Sequence, residues 1–253
     1  MPLVSIIVPY YKKKNFIELT IIKILRQTFQ NFEVLIVYDD NDKTDLTFIK
    51  NISYQDKRIK LIVNKNNLGA GLSRNKAIKE SHGKYIAFCD SDDVWKSNKL
   101  DIQIKYMQKN KLDFSYTNYN IINVRGQNIG NVKVKKKINF EILKKDCCIG
   151  LSTVVIKKDL LKKNRLFSNL KTKEDFALWL KFLKDDVKFI GINKNLVSWR
   201  KTTSFFSYYT IQKLLDGYRV YRNHMNNSIL ESLINLFYLS FNFILRSTKF
   251  RFY

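Results

Sequence analysis

Short apolar runs alternate with helix-forming segments over the first hundred residues, and this alternation restricts the possible fold more than any other feature of the sequence. The predicted strands are residues 4–8, 32–37, 59–63 and 85–89, and the predicted helices are residues 16–25, 46–52 and 72–81. Apolar strands separated by helices are typical of a parallel sheet with helices on both faces. The sequence therefore predicts an α/β fold with a mostly parallel, Rossmann-like sheet.

Aromatic, acidic and glycine-containing loops follow the four predicted strands. In a parallel sheet with right-handed crossovers, the carboxyl ends of the strands meet at one edge, and ligands bind there. The loops expected at this edge are residues 9–11, 39–40, 64–71 and 90–93. We therefore expect a single site built from these four loops.

The pattern weakens after a soft boundary near residue 97. We interpret residues 1–97 as a nucleotide-binding half and residues 98–210 as a second half that closes over the site. The elements predicted in the second half are a helix at 98–110, strands at 113–122 and 150–156, an exposed basic segment at 132–137, and a helix at 174–184.

Residues 211–253 are predicted to form a helical tail, in which residues 229–245 are nearly all apolar. Polar interruptions and a length below ~20 residues argue against a full membrane span. Two interpretations of this tail remain open. One is a core-packing or oligomer helix, and the other, which we favour, is an interfacial helix that contacts an anionic membrane through apolar burial and the basic, aromatic end of the chain.

The chain is strongly basic, with 46 Lys and Arg against 22 Asp and Glu and a formal net charge of +24. Such a charge favours a polyanionic neighbour, although a composition that is also rich in Asn and Ile explains much of it. Hydrophobic residues make up 45% of the chain, which predicts a globular protein.

The cysteines favour a reducing compartment, and the few histidines argue against a zinc site. Three cysteines, two of them adjacent, make a poor disulfide framework, and with only two histidines no Cys/His zinc pattern can be assembled. The opening stretch MPLVSIIVPYY lacks a basic region and a cleavage site, so we interpret it as a strand and not as a signal peptide. We therefore expect a cytoplasmic protein.

The stretch YIAFCDSDDVW places Asp90, Asp92 and Asp93 directly after a predicted buried strand. Carboxylates this close repel one another, increasingly so as water is excluded, and a bound divalent cation removes that cost. Oxygen ligands favour Mg²⁺ or Mn²⁺. The alternative is that Asp90 turns the chain and Asp92 or Asp93 caps the next helix.

Five segments in order resemble the motifs of family 2 glycosyltransferases, from the start of the chain to about residue 200. They are VSIIVPYY, QTFQNFEVLIVYDDNDKTD, NLGAGLSRN, YIAFCDSDDVWKSNKL and KEDFALWLK. The resemblance implies a GT-A fold, a nucleoside-diphosphate sugar donor, a divalent metal and transfer with inversion to an acceptor hydroxyl. The acceptor would be a glycan or a lipid-linked sugar in surface polysaccharide synthesis, and residues 98–210 would bind it.

The resemblance places donor contacts at the ends of the first two strands. Asp39 would accept a hydrogen bond from N3–H of uracil, and Asp40 would order the loop. Tyr11, after Pro9, offers a ring on which the base can stack. Lys12 follows this tyrosine where the family usually has Asn, so we do not transfer that contact.

The next two motifs would hold the diphosphate. Gly71, like Gly69, permits a tight turn before a helix whose free N–H groups favour phosphate, and Arg74 would contact the donor. The remaining donor contacts would come from the DXD segment, Asp90, Ser91 and Asp92. Asp92 is the first choice as a metal ligand, joined by Asp90, and Asp93 would be a further ligand or would orient the sugar.

The resemblance assigns the catalytic base to Asp175, with Glu174 as a supporting acceptor contact. A base is needed on the face opposite the departing diphosphate. Acidic residues in a first helical turn also stabilise helices, which is the alternative role for Asp175. Arg200 would contact the diphosphate, but the histidine that follows in the family is missing here.

Two other function classes are weighed against this one. A sugar-nucleotide nucleotidyltransferase usually has a glycine-containing phosphate loop after its first strand, and PYYKKKN contains no glycine. A nucleic-acid-binding protein would suit the net charge, but the basic residues are spread along the chain and the acidic loops would repel a phosphate backbone. We therefore expect no nucleic-acid partner.

Overall fold

The computed structural model describes residues 1–162, 164–202 and 208–249. The strands are β1 (Val4–Tyr10), β2 (Phe32–Tyr38), β3 (Ile59–Val63), β4 (Tyr85–Phe88), β5 (Val94–Trp95), β6 (Phe114–Ile122), β7 (Asn128–Val132), β8 (Lys137–Ile138), β9 (Val155–Lys157) and β10 (Phe189–Arg200). The helices are α1 (Lys14–Leu25), α2 (Leu46–Tyr54), α3 (Ala70–Glu80), α4 (Lys99–Lys109), α5 (Phe140–Lys145), α6 (Glu174–Lys184), α7 (Tyr208–Arg219) and α8 (Ile229–Lys249).

One sheet runs through the molecule in the strand order β3-β2-β1-β4-β9-β6-β10-β5, with β7 added to β6 and β8 to β10. The strands β1 to β4 are parallel to one another. The predicted parallel arrangement is therefore confirmed for the first half of the chain. The second half is mixed, because β9 runs antiparallel to both β4 and β6.

The central strands are buried on both faces, which explains their continuous apolar runs. Successive side chains of β1 enter opposite cores: Ile6 and Val8 pack on one face with α1 residues such as Ile21, while Ile7 packs on the other face with Trp179 of α6. The sheet is thus covered by helices on both sides, as the alternating pattern predicted.

The second half differs from the sequence-based prediction in several elements. The strand predicted at 150–156 begins with a 3₁₀ turn at Leu151–Thr153 and becomes β9 only at Val155. The basic segment 132–137 is largely exposed, as expected, and connects β7 to β8. The 12-residue strand β10 was not predicted, because its polar residues 193–195 coincide with register shifts in its pairing with β6 and interrupt the apolar pattern.

The tail is helical over its described part, as predicted, but α8 has an inverted pattern of burial. Its polar residues Ser232 and Asn235 are buried against the protein, whereas most of its large apolar side chains face outward. The exposed apolar side chains of α8 are Ile229, Leu230, Leu233, Ile234, Phe237, Tyr238, Phe241, Phe243, Ile244 and Leu245. In the part of the chain that the structure describes, no helix has the length and hydropathy needed to cross a bilayer.

Gly83 fixes the close approach of the α3–β4 connection to β1, and this contact yields a stability prediction. A Cβ at residue 83 would lie 2.4 Å from the backbone nitrogen of Ser5 and 2.7 Å from its Oγ. We expect Gly83→Ala to lower the free energy of unfolding by about 1–3 kcal/mol, because the strand must shift to relieve the clash. Urea unfolding measures this loss, with the exposed neighbour Lys84→Ala as the control; equal stabilities of the two variants would contradict the packing.

Candidate active site

The carboxylate of Asp39 ties together the loops that follow β2 and β3. It accepts hydrogen bonds from Asn64 Nδ2 and from the backbone nitrogens of Leu68 and Gly69, each at 2.8 Å. Gly69, with φ +82°, precedes α3 directly. Asp39 therefore fixes the loop before α3. Asp40 accepts a hydrogen bond from the backbone nitrogen of Asp42, within the loop after β2 for which an ordering role was predicted. One carboxylate oxygen of Asp39 accepts only one of these bonds, which leaves it a second acceptor position.

The residues Asp90 to Asp93 form a tight turn beyond β4. The backbone nitrogen of Asp93 donates to the carbonyl of Asp90 at 3.0 Å. Thr20 of α1 donates to the carbonyls of Ser91 and Asp93 at 3.1 and 2.9 Å. The turn is therefore fixed to a neighbouring helix, and Ser91, a predicted donor contact, is a buried part of it.

Asp93 points into the protein interior. Its carboxylate accepts a hydrogen bond from the Ser152 hydroxyl and, at 2.9 Å, one from the backbone nitrogen of Arg200. Burial raises the pKa of Asp93 well above its usual range, and the charges of Asp90 and Asp92 add to this effect. The structure thus uses Asp93 to join the turn to β10, and this placement does not favour the predicted roles in metal or sugar binding.

Asp90 and Asp92 instead point to the edge of the sheet, and each is paired with a cation. Arg74 Nη2 lies 2.7 Å from Asp90 Oδ1, and Lys13 Nζ lies 2.8 Å from Asp92 Oδ2. Burial and the nearby charge of Asp90 raise the pKa of Asp92, while Lys13 opposes this shift. Without these cations the two carboxylates would repel each other.

The donor set at this edge fits a hard divalent cation with few protein ligands. Both outward-facing groups are carboxylates, and Mg²⁺ and Mn²⁺ sites often use one or two carboxylates and complete the shell with water and phosphate oxygens. Within the described residues, no three His, Cys, Asp or Glu side chains are grouped as a closed metal cage. The arrangement therefore suits a cation that arrives with a diphosphate.

Arg74 joins the turn of residues 90–93, here called the acidic turn, to the start of α6. Its Nη1 lies 2.6 Å from Glu174 Oε1, while its Nη2 holds Asp90, and the side chain is almost fully buried. Burial raises the pKa of Glu174 to about 7, against the opposing charge of Arg74. Arg74 and Glu174, predicted to contact donor and acceptor, are thus paired with each other.

Gly71 allows α3 and α6 to approach closely. A Cβ at residue 71 would lie 2.5 Å from the carbonyl oxygen of Ser168 and 3.1 Å from Cγ of Glu174. The absence of a side chain at residue 71 therefore serves the packing of α3 against Ser168 and the start of α6. The contact of Gly71 with a phosphate stays a prediction.

Asp175 lies in the first turn of α6, next to Glu174 and its ion pair with Arg74. Its Oδ1 accepts from the backbone nitrogen of Phe176 at 2.7 Å. Loss of water around the carboxylate raises the pKa of Asp175, while the positive charges of Arg74 and Lys173 lower it and Asp90 raises it further. The structure therefore brings Asp175 near the Asp90–Arg74 pair, although the two segments are far apart in sequence.

The other predicted contacts lie at different places. Tyr11 directly follows β1, and its side chain is 46% exposed, whereas Pro9 near the end of the strand is half-buried. The guanidinium of Arg200 donates to the carbonyls of Asp92, Asn123 and Val124, so this side chain braces the acidic turn. The predicted contact between Arg200 and the diphosphate is not favoured by this placement.

Lys13 was not among the predicted site residues. Its Nζ contacts both Asp92 and, at 2.8 Å, Oγ1 of Thr202 beyond β10. The only sequence signal was its position in the run PYYKKKN after the first strand, and in a chain with 46 Lys and Arg such a run carries little information.

Comparison with known proteins gives consistent matches. The family model "Glycosyl transferase family 2" matches residues 5–164. The Escherichia coli protein UDP-Glc:alpha-D-GlcNAc-diphosphoundecaprenol beta-1,3-glucosyltransferase WfgD is 43% identical over 184 residues, which cover 73% of this chain and 71% of that protein.

Two solved structures share the fold. Staphylococcus aureus TarS 1–349 in complex with UDP-GlcNAc matches with a TM-score of 0.70 and 22% identity, over 93% of this chain and 70% of that chain. The mannosyltransferase PcManGT from Pyrobaculum calidifontis, in complex with GDP-Man and Mn²⁺, matches with a TM-score of 0.66 and 13% identity, over the same shares. The predicted GT-A fold is thereby confirmed.

The different orientations of Asp92 and Asp93 yield a prediction. We expect Asp93→Ala to lower the free energy of unfolding by about 1–3 kcal/mol, because it leaves the Ser152 hydroxyl and the Arg200 amide without their acceptor. Asp92→Ala should change it by less than about 1 kcal/mol, since Lys13 is partly exposed and keeps its bond to Thr202. Urea unfolding of both variants tests this, and a larger loss for Asp92→Ala would contradict the assignment of Asp93 to the interior.

Proposed function

Because the chain belongs to glycosyl transferase family 2, we propose that it transfers a sugar from a UDP-sugar to a hydroxyl of a lipid-linked acceptor, with inversion and with a divalent cation, in the synthesis of a surface polysaccharide. The observation that carries this proposal is the convergence of Asp90, Asp92 and Asp175 at one edge of the sheet, where Arg74 joins the turn to α6. Among the residues that the structure describes, no feature favours the nucleotidyltransferase or nucleic-acid-binding alternatives over this one.

For the donor we propose a uridine nucleotide, held at the ends of β1 and β2. The exposed ring of Tyr11 offers a face for the base, and the free acceptor position of Asp39 suits N3–H of uracil. The relative WfgD is named for UDP-Glc, and TarS was solved with UDP-GlcNAc. These names support a UDP-sugar without identifying the sugar.

For the cation we propose Mg²⁺ or Mn²⁺ on Asp92, with Asp90 as a second ligand. When bound, such a cation offsets the negative charge that develops on the departing diphosphate. The two carboxylates are the outward-facing members of the turn, and PcManGT was solved with Mn²⁺. Lys13 and Arg74 offset the charges of these carboxylates before the donor arrives.

In the transfer step we propose Asp175 as the general base. The oxygen of the acceptor hydroxyl forms a bond to the anomeric carbon, the bond from that carbon to the diphosphate oxygen breaks, and the hydroxyl proton moves to the carboxylate of Asp175. Arg74 and Glu174 act as positioning residues, because their ion pair fixes the first turn of α6 against the acidic turn. In this proposal, residues 1–97 bind the donor and residues 98–210 bind the acceptor.

Substitution of the base tests this function. We expect Asp175→Asn to lower the transfer rate by at least about 100-fold, because the amide cannot accept the proton, while UDP binding in the presence of Mn²⁺ stays within twofold. Transfer is followed as UDP release from UDP-Glc and UDP-GlcNAc with a diphospholipid-linked GlcNAc acceptor, and binding is followed by calorimetry. Asp101→Asn, on the surface of α4, is the control. An active Asp175→Asn variant would refute the base, and a wild-type chain that binds no UDP would refute the function.

We also propose that the apolar face of α8 lies on an anionic membrane surface, at the cytoplasmic side where the donor is available. The face is continuous from residue 229 to residue 245 and points away from the protein. The sequence adds the basic residues Arg246 and Lys249 at its end, and Lys145 lies over the ring of Tyr238. Positive charge beside an outward apolar face is the pattern of helices that lie in the membrane interface.

Vesicle binding tests this membrane contact. We expect the full chain to float with vesicles of phosphatidylglycerol and phosphatidylethanolamine, and the double variant Phe237→Ser/Phe241→Ser to float much less, because two exposed rings no longer enter the interface. The matched control is Leu19→Ser/Tyr54→Ser, which removes two exposed apolar side chains from α1 and α2. Equal flotation of both variants would contradict the proposal, as would a dimer in sedimentation that only the α8 variant loses.

A further inference from the structure

Three lysines from separate elements are near enough for their charges to act on one another, and one of them, Lys173, also acts on the proposed base Asp175. Lys173 directly precedes α6, Lys201 directly follows β10, and Lys213 is on α7. We propose that Lys173, Lys201 and Lys213 bind the diphosphate of the lipid-linked acceptor. This inference rests on the proposed function and adds the location of the acceptor's charged group.

The loop before α6 is anchored to α7, and this anchor brings Lys213 close to Lys173. The buried carboxylate of Asp216 accepts from the backbone nitrogen of Thr172 at 3.0 Å and from its Oγ1 at 3.1 Å. Residues three apart share one face of a helix, so Lys213 lies on the same face of α7 as Asp216. The backbone of Lys173 has φ +64°, a conformation unfavourable for a residue with a side chain.

Lys201 lies directly beyond β10, where the chain is held close to the turn of residues 90–93. The residue before it, Arg200, donates its amide to Asp93, and Lys201 itself donates its amide to the carbonyl of Ile122 at 2.8 Å. The residue after it, Thr202, is held by Lys13, which contacts Asp92. Lys201 is therefore fixed at the edge that carries the outward-facing carboxylates.

Among the described residues, none of the three ammonium groups forms a salt bridge, although the charge of Lys173 acts on Asp175. The nearby Asp216 is already engaged by Thr172, Gln212 and Arg219. Partial burial lowers the pKa of Lys213, and the positive charges of Lys173 and Lys201 lower it further. Like charges held this close repel one another, and a bound polyanion offsets that cost.

The position of the cluster favours the acceptor's diphosphate over that of the donor. The donor's diphosphate belongs to the cation on Asp92 and Asp90, whereas Lys173 is two residues from Asp175, the group that contacts the acceptor hydroxyl. In a sugar linked to a diphospholipid, the hydroxyl and the diphosphate are on the same ring. The exposed apolar side chains of Ile211, Leu214 and Leu215 also lie on α7, next to Lys213, where the lipid chain would continue.

A binding assay that needs no turnover tests the cluster. The probes are a GlcNAc-diphospholipid with a short alkyl chain, a neutral GlcNAc alkyl glycoside with the same chain, and UDP with Mn²⁺, each titrated into the full chain. We expect Lys201→Ala/Lys213→Ala to bind the diphospholipid about tenfold more weakly than the wild type, because two charge contacts are lost. Binding of UDP and of the neutral glycoside should not change. Lys213→Arg alone should keep most of the affinity, and Lys109→Ala at the end of α4 is the control.

The outcomes separate this inference from the proposed function. Equal affinity of the double variant and the wild type for the diphospholipid would overturn the inference. A loss of UDP binding instead would assign the lysines to the donor's diphosphate and also overturn it. A wild-type chain that binds UDP but not the diphospholipid would refute this acceptor site while leaving the glycosyltransferase activity in place. The melting temperature of each variant shows whether it remains folded.

Discussion

The ion pairs of Arg74 with Asp90 and Glu174 are the interaction on which the arrangement of the site depends. The guanidinium is buried, so removing either acidic partner would leave a charge in the interior with part of its compensation gone, which is far more costly than losing a surface pair. The same side chain links the loop after β4 to the start of α6. The proposed metal ligands and the proposed base are therefore held relative to each other by one electrostatic junction, and the missing side chain of Gly71 gives that junction its space.

The carboxylates of the acidic turn point in two directions and have different partners. Asp93 turns inward and, through Ser152 and the Arg200 amide, joins the turn to the second half of the chain. Asp90 and Asp92 turn outward and are paired with cations that come from α3 and from the end of β1. A basic chain can thus concentrate negative charge here, because each carboxylate has a separate partner. The outward pairs are also the partly exposed ones, so the proposed diphosphate and its cation could reorganise them without disturbing the core.

Sequence patterns predicted the part of the fold in which burial is regular. Strands β1 to β4 and the helices between them follow from apolar runs, since both faces of the central sheet are covered. Strand β10 was not predicted, because the polar residues 193–195 interrupt its apolar pattern at the point where its pairing with β6 shifts register. The structure brings together five of the residues that the sequence analysis selected, although their roles stay predictions: Asp90, Asp92, Arg74, Glu174 and Asp175. Their directions were not predictable, because a one-residue difference within a turn decides whether a carboxylate points inward, as in Asp93, or outward, as in Asp92. The position of Lys13 after the first strand carried little information in a sequence so rich in lysine.

The net charge of +24 and the acidic turn act at different ranges. A field of this sign draws anions toward the protein, and salt screens it beyond a Debye length of about 8 Å in physiological conditions. Within that distance, local groups decide which anion stays. In the proposed sites, the outward-facing carboxylates would repel a bare diphosphate and would bind one that brings a cation, whereas the lysine cluster would favour a diphosphate without a metal. Two kinds of site near Asp175, as proposed, would therefore give the donor and acceptor diphosphates different positions, although both carry the same charged group.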